Sequence, residues 1–247
     1  MTAGKTPVTT IPDVGVVIVA AGTGTRASGG ESSSGGTPEL KQFRWVAGKP
    51  MLLHSVQTFM SRPDVATVVC VLPQRFAGDP PPWLFQCDVN RLLVSVGGRT
   101  RTDSVSNGLD DLPDEAQVVL IHDAARPFVG AETIDRVIGS VRKGRATIAA
   151  LPMVDTLKEV SDDGLVARTM ERQRLWRAQT PQGFPRDIIV RAHREARLAR
   201  VVATDDAALC ERLGIPVTVV RGSERAIKIT EEGDFARAEA LYSLTDA

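Results

Sequence analysis

Residues 14–26 read VGVVIVAAGTGTR, an apolar run followed by a glycine-rich turn that ends in an arginine. A run of valine and isoleucine with almost no polar residue is typical of a strand buried on both faces of a parallel sheet. In such sheets, ligands bind at the loops that leave the carboxyl ends of the strands. Glycine lets consecutive backbone N–H groups approach phosphate oxygens, because no Cβ intervenes. The stretch therefore predicts an α/β fold with an anion-binding turn after its first strand.

The spacing in this turn argues against two common nucleotide-binding classes. No third glycine follows Gly22 and Gly24 at the Rossmann distance, and the Gly-Lys-Ser/Thr end of a P-loop is missing. Arg26 and, after an insert, Lys41 supply two cations, which suit a triphosphate better than a neutral ligand. A plain β-α connection, with Lys41 as a solvated surface lysine, is the alternative interpretation.

Further apolar runs alternate with amphipathic stretches along the chain, the pattern of repeated β-α units. Strands are predicted at 14–20, 65–72, 92–96, 118–121, 147–151 and 217–220, and helices at 51–60, 103–109, 131–142, 186–197, 205–213 and 231–242. We therefore expect a Rossmann-like, mostly parallel sheet flanked by helices.

The chain of 247 residues, 43% of them hydrophobic, is long enough for one sizeable core. We expect a disordered N-terminus over residues 1–13 and a single domain over 14–247. Residues 27–37 are rich in Ser and Gly and predict a flexible loop, either a lid beside the glycine turn or a surface insertion. Residues 155–178 contain short alternating pieces around a Ser-Asp-Asp-Gly turn, which predicts a β-arm that projects from the sheet toward a partner subunit.

Composition points to a small-molecule partner. Thirty basic and 30 acidic residues give a formal net charge of zero, which argues against bulk attraction to nucleic acid or to a membrane surface. Cys70, Cys87 and Cys210 lack metal-type spacing and fit buried thiols in a reducing compartment. No segment has the length of apolar chain needed to cross a bilayer, so we expect a cytoplasmic protein.

A second cluster of candidate site residues follows the strand predicted at 118–121. Residues 122–127 read HDAARP. Asp123 suits a metal or sugar hydroxyls, the two alanines leave room for a nucleotide, and Arg126 can bind a phosphate through two hydrogen bonds. For His122 a hydrogen-bonded scaffold role is favoured over a catalytic base.

Two further segments have a functional and a structural interpretation. Residues 97–104 read GGRTRTDS and form a glycine turn before a helix, suited to a base or phosphate; otherwise Thr102 is a simple N-cap and Arg99 and Arg101 are solvated. Lys228 lies between two isoleucines in a predicted short strand. It requires an anion if it is buried, or it points to water from an edge strand.

These motifs, in this order, resemble the 2-C-methyl-D-erythritol 4-phosphate cytidylyltransferases of the non-mevalonate isoprenoid pathway. The resemblance covers about residues 14–242 and implies the fold of nucleotide-diphospho-sugar transferases. Besides the first turn it rests on Lys41-Gln42, His54-Ser55-Val56, Gly97-Gly98 with Arg101 and Ser104, residues 122–127, Asp155-Thr156, Thr180-Pro181-Gln182, Thr204-Asp205 and Ile227-Lys228.

The resemblance implies transfer of CMP from CTP to methylerythritol phosphate, with Mg²⁺ bound through the CTP phosphates and with release of pyrophosphate. The residues it assigns to CTP are Ala20, Ala21, Gly22, Gly24, Gly98, Ser104 and Ala124, and the catalytic residues are Arg26, Lys41 and Lys228. The acceptor would meet Asp123, Arg126, Thr180 and Lys228, together with Thr156 and Arg172 from the arm of the other subunit in a homodimer.

The sequence departs from the family pattern at the insert 27–37, where Glu39-Leu40 also separates Pro38 from Lys41. Two alternatives stay open at this point. One is a cytidylyltransferase of the same fold that acts on ribitol 5-phosphate, and the other is a nucleotide-binding regulatory module without catalysis.

Overall fold

The computed structural model describes residues 12–22 and 40–244. Gly24, Arg26 and the predicted loop 27–37 therefore lie outside the described residues, as does most of the N-terminus expected to be disordered.

A seven-stranded sheet forms the centre of the molecule, with the strand order β11-β7-β10-β6-β1-β4-β5. β1 pairs in parallel with β4 and β6, β4 with β5, and β7 with β11, whereas β10 runs antiparallel to both β6 and β7. The expected mostly parallel sheet is confirmed. The strands of the described residues are β1 (Val14–Val19), β2 (Trp45–Val46), β3 (Lys49–Pro50), β4 (Val65–Leu72), β5 (Leu92–Val96), β6 (Val118–Asp123), β7 (Ala146–Pro152), β8 (Leu157–Val160), β9 (Val166–Met170), β10 (Trp176–Pro185) and β11 (Val217–Arg221).

Helices cover both faces of this sheet. Alternate residues of β1 belong to different apolar clusters, since Ile18 packs in the cluster of Phe59 and Val17 packs in the cluster of Val105 and Phe184. This two-sided burial explains the uninterrupted apolar sequence of β1. The α-helices are α1 (Met51–Met60), α2 (Gln74–Ala77), α3 (Arg101–Asp110), α4 (Ala131–Val141), α5 (Arg186–Leu198), α6 (Ala207–Arg212) and α7 (Gly233–Ser243). None of the helices in the described ranges is both long and apolar enough to span a membrane.

The long strand β10 is the main element that the sequence pattern did not indicate. It fills the space between β6 and β7, and its first residues, Trp176 to Ala178, pair with β7 although they were assigned to the arm. Its buried centre carries Gln179, Thr180 and Gln182, so it does not read as an apolar run. These polar side chains are hydrogen-bonded to neighbouring loops, which makes their burial tolerable.

The predicted arm is present as the antiparallel pair β8–β9. The short strand predicted around Lys228 is absent. This segment instead packs along the β6 loop, where Ile229 N donates a 2.8 Å hydrogen bond to the Ala125 carbonyl.

Candidate active site

A cavity of about 570 Å³ opens where β1, β5 and β6 end. Most of the residues that the sequence proposed for nucleotide binding and catalysis meet there. The lining residues that the sequence analysis had proposed for the site are Ala20, Ala21, Gly22, Lys41, Gly98, Ser104, Asp123, Ala124 and Lys228. The remaining lining residues are Val19, Gln42, Met51, Arg99, Thr100, Arg101, Ala125 and Thr230.

Gln42 holds the start of the first glycine turn, residues 20–22. Its buried amide Nε2 donates to the carbonyl of Ala20 at 2.6 Å and to that of Gly22 at 3.1 Å. Lys41, the preceding residue, donates from Nζ to the Ile229 carbonyl at 2.8 Å. The 3₁₀ turn Lys41–Phe43 therefore connects the first turn to the segment that carries Lys228. The sequence indicated Gln42 only through its position beside Lys41.

The second glycine turn packs directly against the first. A Cβ on Gly97 would collide with the Ala21 side chain and lie 3.1 Å from the Leu72 carbonyl oxygen. A Cβ on Gly98 would collide with Asp103. Both positions therefore require glycine for close approach rather than for an unusual backbone angle.

Helix α3 begins at this turn. Gly98 N donates to Ser104 Oγ at 3.1 Å, and that hydroxyl donates to the Thr100 carbonyl at 2.8 Å. The N-cap is Thr100, which forms a capping box with Asp103, so the interpretation of Thr102 as the N-cap is wrong. Ser104 is thus oriented toward the cavity by the first turn of the helix.

Asp123 is bonded to a cation through each of its carboxylate oxygens. Lys228 Nζ donates to Oδ2 at 2.8 Å, and Arg101 donates to Oδ1 from Nε at 3.3 Å and from Nη2 at 3.2 Å. Burial alone would raise the pKa of Asp123, but the charges of Arg101 and Lys228 outweigh it and hold the pKa well below its usual value. Asp123 is therefore ionised, and Lys228 forms an ion pair with it.

Arg101 is not solvated, contrary to one of the two interpretations of its segment. Its Nη1 donates at 2.8 Å to Oδ2 of Asp206, whose side chain is 1% exposed. Asp206 Oδ1 lies 3.0 Å from Nε2 of the buried His193. Burial lowers the pKa of Arg101, but the two carboxylates outweigh it and raise the pKa above its ordinary value. Only the family pattern indicated Arg101, since sequence spacing does not show that α3 meets residue 206.

The loop that carries Asp206 is held by β10. Gln182 Oε1 accepts from the backbone N of Asp206 at 3.0 Å and of Ala207 at 3.1 Å, and Gln182 Nε2 donates to Asp205 at 2.8 Å. Asp205 also accepts from Ala208 N at 3.0 Å. The Asp205 carboxylate thus satisfies a backbone N–H group in the first turn of α6.

Thr180 and His122 lie behind Asp123. Thr180 is 4% exposed; its Oγ1 accepts from the Asp123 backbone N at 3.0 Å, so its proton can be donated to His122 Nδ1, also at 3.0 Å. His122 Nε2 then donates to the Arg126 carbonyl at 3.1 Å. Burial lowers the pKa of His122 to about 4, and its two ring hydrogen bonds agree with the scaffold role expected for it.

Arg126 also lies behind the cavity wall. Its guanidinium donates to the carbonyls of Ala226 at 2.7 Å and Ala178 at 3.3 Å. Burial lowers its pKa, although Asp123 acts in the opposite direction. Contacts of Arg126 and Thr180 with the acceptor stay predictions, because neither side chain lines the cavity in this structure.

Thr156 and Arg172 are exposed on the arm and do not line the cavity of their own chain. The Arg172 guanidinium donates to the Val154 carbonyl at the base of the arm. Any role of these two residues in catalysis therefore requires the cavity of another chain.

The chemistry of the cavity is that of an anion site. Lys41, Arg99, Arg101 and Lys228 surround it, and Asp123 is the acidic residue among the described lining residues. The described lining contains no cysteine or histidine, and Ser104 is engaged with the backbone. Such a site favours reactions in which phosphates are aligned and neutralised rather than attacked by the protein.

A sequence model of the family described as IspD, 2-C-methyl-D-erythritol 4-phosphate cytidylyltransferase, matches residues 14–243. The chain belongs to this family. The cytidylyltransferase of Syntrophus aciditrophicus is 40% identical over 233 residues, which cover 93% of this chain and 96% of that relative. The crystal structure of the cytidylyltransferase from Thermus thermophilus superimposes with a TM-score of 0.76 at 33% identity, covering 94% of this chain and 99% of the other.

Family membership confirms the nucleotidyltransferase class and the isoprenoid pathway expected from the sequence. It favours methylerythritol phosphate over ribitol phosphate as the acceptor, and an enzyme over a binding module. One relative, from Desulfotalea psychrophila, is named bifunctional enzyme IspD/IspF. It is 38% identical to this chain, which covers 55% of its length.

Proposed function

We propose that the cavity between the two glycine turns is where this cytidylyltransferase transfers CMP from CTP to 2-C-methyl-D-erythritol 4-phosphate. The observation that carries the assignment is the Asp123 carboxylate held between Arg101 and Lys228, beside the turn at Gly97 and Gly98, where any added Cβ would collide with a neighbouring residue. The products are 4-diphosphocytidyl-2-C-methyl-D-erythritol and pyrophosphate.

The nucleotide would occupy the side of the cavity formed by the glycine turns. Backbone at Ala20 to Gly22 and the Lys41 side chain suit the phosphates, since main-chain N–H groups and a cation bind phosphate oxygens. Gly98, Ser104 and Ala124 offer small side chains and hydrogen-bonding groups for the base and ribose. Gly24 and Arg26 belong to the same sequence motif, and their role at the phosphates is part of the proposal.

The acceptor would lie against Asp123 and Lys228. The Lys228 side chain is 44% exposed, so its ammonium can turn from Asp123 to a substrate phosphate at small cost. Asp123 can then accept hydrogen bonds from the hydroxyls of the polyol. Thr180 and Arg126 complete this side by holding the backbone and the loop around Asp123.

The reaction needs no covalent nucleophile from the protein. An oxygen of the acceptor phosphate attacks the α-phosphorus of CTP, a P–O bond forms, and the bond from the α-phosphorus to the bridging oxygen breaks as pyrophosphate leaves. A phosphate monoester has a second pKa of about 6, so the attacking oxygen is already ionised at neutral pH. Arg26, Lys41 and Lys228 would align the phosphates and offset their charge.

Mg²⁺ fits this site as an ion carried by the nucleotide. The described residues contain no cluster of three or more His, Cys, Asp or Glu side chains able to hold a metal, and both oxygens of Asp123 are bonded to cations. Mg²⁺ commonly relies on substrate phosphates and water with few protein ligands. When bound to the CTP phosphates it supplies charge neutralisation for the leaving pyrophosphate.

A homodimer would complete the site through the arm. The arm and its base expose the apolar side chains of Val154, Val160, Leu165 and Val166, more than a lone domain needs to leave in water. A partner subunit would cover them, and Thr156 and Arg172 of this arm would then reach the acceptor in the partner's cavity.

The buried thiols of Cys70 and Cys210 are consistent with a reducing cytoplasm, where we place the enzyme.

The test is pyrophosphate release from CTP and Mg²⁺ with methylerythritol 4-phosphate, run beside ribitol 5-phosphate at equal concentration. We expect strong preference for methylerythritol phosphate. Preference for ribitol phosphate would overturn the acceptor assignment and keep the CTP site, whereas no release with either acceptor would overturn the proposed reaction.

A further inference from the structure

Arg101 occupies a position that the helix itself disfavours. It is the first residue of α3, where the positive end of the helix dipole repels a cation. Two carboxylates offset this repulsion, Asp123 in the cavity and Asp206 behind it. The arginine therefore joins the cavity to a buried anion that no ligand in the cavity can touch, since Asp206 is not part of the lining.

The two cations on Asp123 are not equivalent. Arg101 has a side chain 24% exposed and is anchored at its far end by Asp206, whereas Lys228 is 44% exposed and is bonded to Asp123 through one nitrogen. A buried carboxylate that lost its only cation would be left uncompensated. Because Arg101 stays, Asp123 keeps a partner when Lys228 leaves.

We infer that Arg101 is a positioning residue: anchored by Asp206, it neutralises Asp123 so that Lys228 is free to move to the phosphate of the acceptor. The inference rests on the proposed function, because it takes Lys228 as the ligand of that phosphate. His193 and Gln182 support the arrangement by holding the carboxylate and the backbone of Asp206.

The first test is the substitution Arg101→Met. Without the guanidinium, Lys228 becomes the only cationic side chain among the described residues that donates a hydrogen bond to Asp123, and it is retained there. We expect the KM for methylerythritol phosphate to rise about tenfold, with the KM for CTP within about twofold of wild type. Arg101→Lys keeps the positive charge but only part of the hydrogen-bond geometry. Its KM for methylerythritol phosphate should therefore lie between the values of the wild type and of Arg101→Met.

A double-mutant cycle with Asp123→Asn separates this role from a general structural one. When the carboxylate is absent there is nothing for Arg101 to neutralise, so Arg101→Met/Asp123→Asn should match Asp123→Asn within about twofold. Additive losses would overturn the inference, because they would mean that Arg101 contacts ligand or supports the fold independently of Asp123. If Arg101→Met fails to fold, Arg101→Gln takes its place in the cycle.

Asp206→Asn tests the anchor without altering the lining of the cavity. The guanidinium would then be held less firmly against Asp123, and we expect a rise of about threefold in the acceptor KM with CTP affinity unchanged by calorimetry. The matched control is Asp110→Asn, which removes an exposed ion pair between α3 and Arg197 of α5 and should leave both KM values unchanged.

The outcomes distinguish the two levels of the proposal. If the wild-type enzyme does not turn over methylerythritol phosphate and CTP, the proposed function fails. If it does, and Arg101→Met and Asp206→Asn leave the acceptor KM unchanged or raise both KM values equally, only the positioning role fails.

Discussion

Lys228 Nζ lies 2.8 Å from Oδ2 of Asp123, although the two residues are 105 positions apart in the sequence. Asp123 ends a central strand, and Lys228 lies in a segment of irregular structure attached to the β6 loop. The pair therefore forms only when the C-terminal part of the chain has packed over the sheet. In the proposed reaction the same lysine changes partner from this carboxylate to a substrate phosphate.

Lys228→Ala should abolish turnover without unfolding the protein. We expect kcat/KM to fall by about a hundredfold or more, since a cation at the reacting phosphates is lost. The free energy of unfolding should change by about 1 kcal/mol or less, because Lys228 is half exposed and Asp123 keeps Arg101. Pyrophosphate release and urea unfolding measure the two effects. Lys143→Ala, on an exposed turn, is the control, and near-normal activity of Lys228→Ala would refute the assigned role.

Gly97→Ala should damage the CTP side of the site. Its new Cβ would push against Ala21 and the Leu72 carbonyl, so the two turns must separate. We expect a loss of about 1–3 kcal/mol in stability together with a higher KM for CTP. Gly139→Ala is the matched control, because a Cβ there meets nothing and lies within α4. The free energy of unfolding of Gly139→Ala should rise by about 0.5–1 kcal/mol, because alanine favours a helix more than glycine does. Equal behaviour of the two variants would contradict the packing argument.

Stability should fall as the pH drops below neutrality because of His122. Its pKa is about 4 in the folded protein and about 6.5 in the unfolded chain, so the unfolded chain takes up the proton first. The stability that comes from keeping His122 neutral is present above pH 6.5 and is lost as the pH falls toward 4. The free energy of unfolding should fall by about 1.5 kcal/mol between pH 6.5 and pH 5 from this residue. Urea unfolding across this range measures it.

His122→Asn is the matching variant for that measurement. Asparagine can still accept the hydrogen bond from Thr180, but it fills less of the buried space, so the variant should be less stable at pH 7. Because asparagine does not titrate, the free energy of unfolding of the variant should fall less between pH 6.5 and pH 5 than that of the wild type. His54 contributes in the same direction in both proteins, because burial also lowers its pKa. An unchanged pH dependence in His122→Asn would show that His122 is not the group responsible.

Mixing two inactive variants should restore activity if the arm completes the site of the other subunit. Arg172→Ala has an intact cavity and a defective arm, and Lys228→Ala has the reverse. Random exchange of subunits gives half heterodimers, each with one complete site, so about a quarter of wild-type activity is expected. A mixture of Lys228→Ala with Asp123→Ala serves as the control, since neither cavity is intact. No recovery in the first mixture, with dimers present by light scattering, would overturn the shared site.

The sequence determined the elements whose signals are local. The apolar run of β1 and the amphipathic pattern of α1 gave strand and helix bounds that agree with the structure to within a residue, because periodic burial is written directly into residue order. The turn at Gly97 and Gly98 was also visible in the sequence, because the close approach of its backbone to neighbouring residues requires glycine at both positions. Order along the chain also placed Asp123 at a strand end, and hence at the edge where ligands bind.

Only the tertiary structure decided which polar groups meet. β10 escaped prediction because its buried glutamines and threonine are satisfied by distant loops, and no local pattern reveals such partners. The pairing of Lys228 with Asp123 and the chain from Arg101 to Asp206 join residues about a hundred positions apart. Electrostatic contacts act through space and not along the chain, so the fold had to bring these charges together before their chemistry could be read.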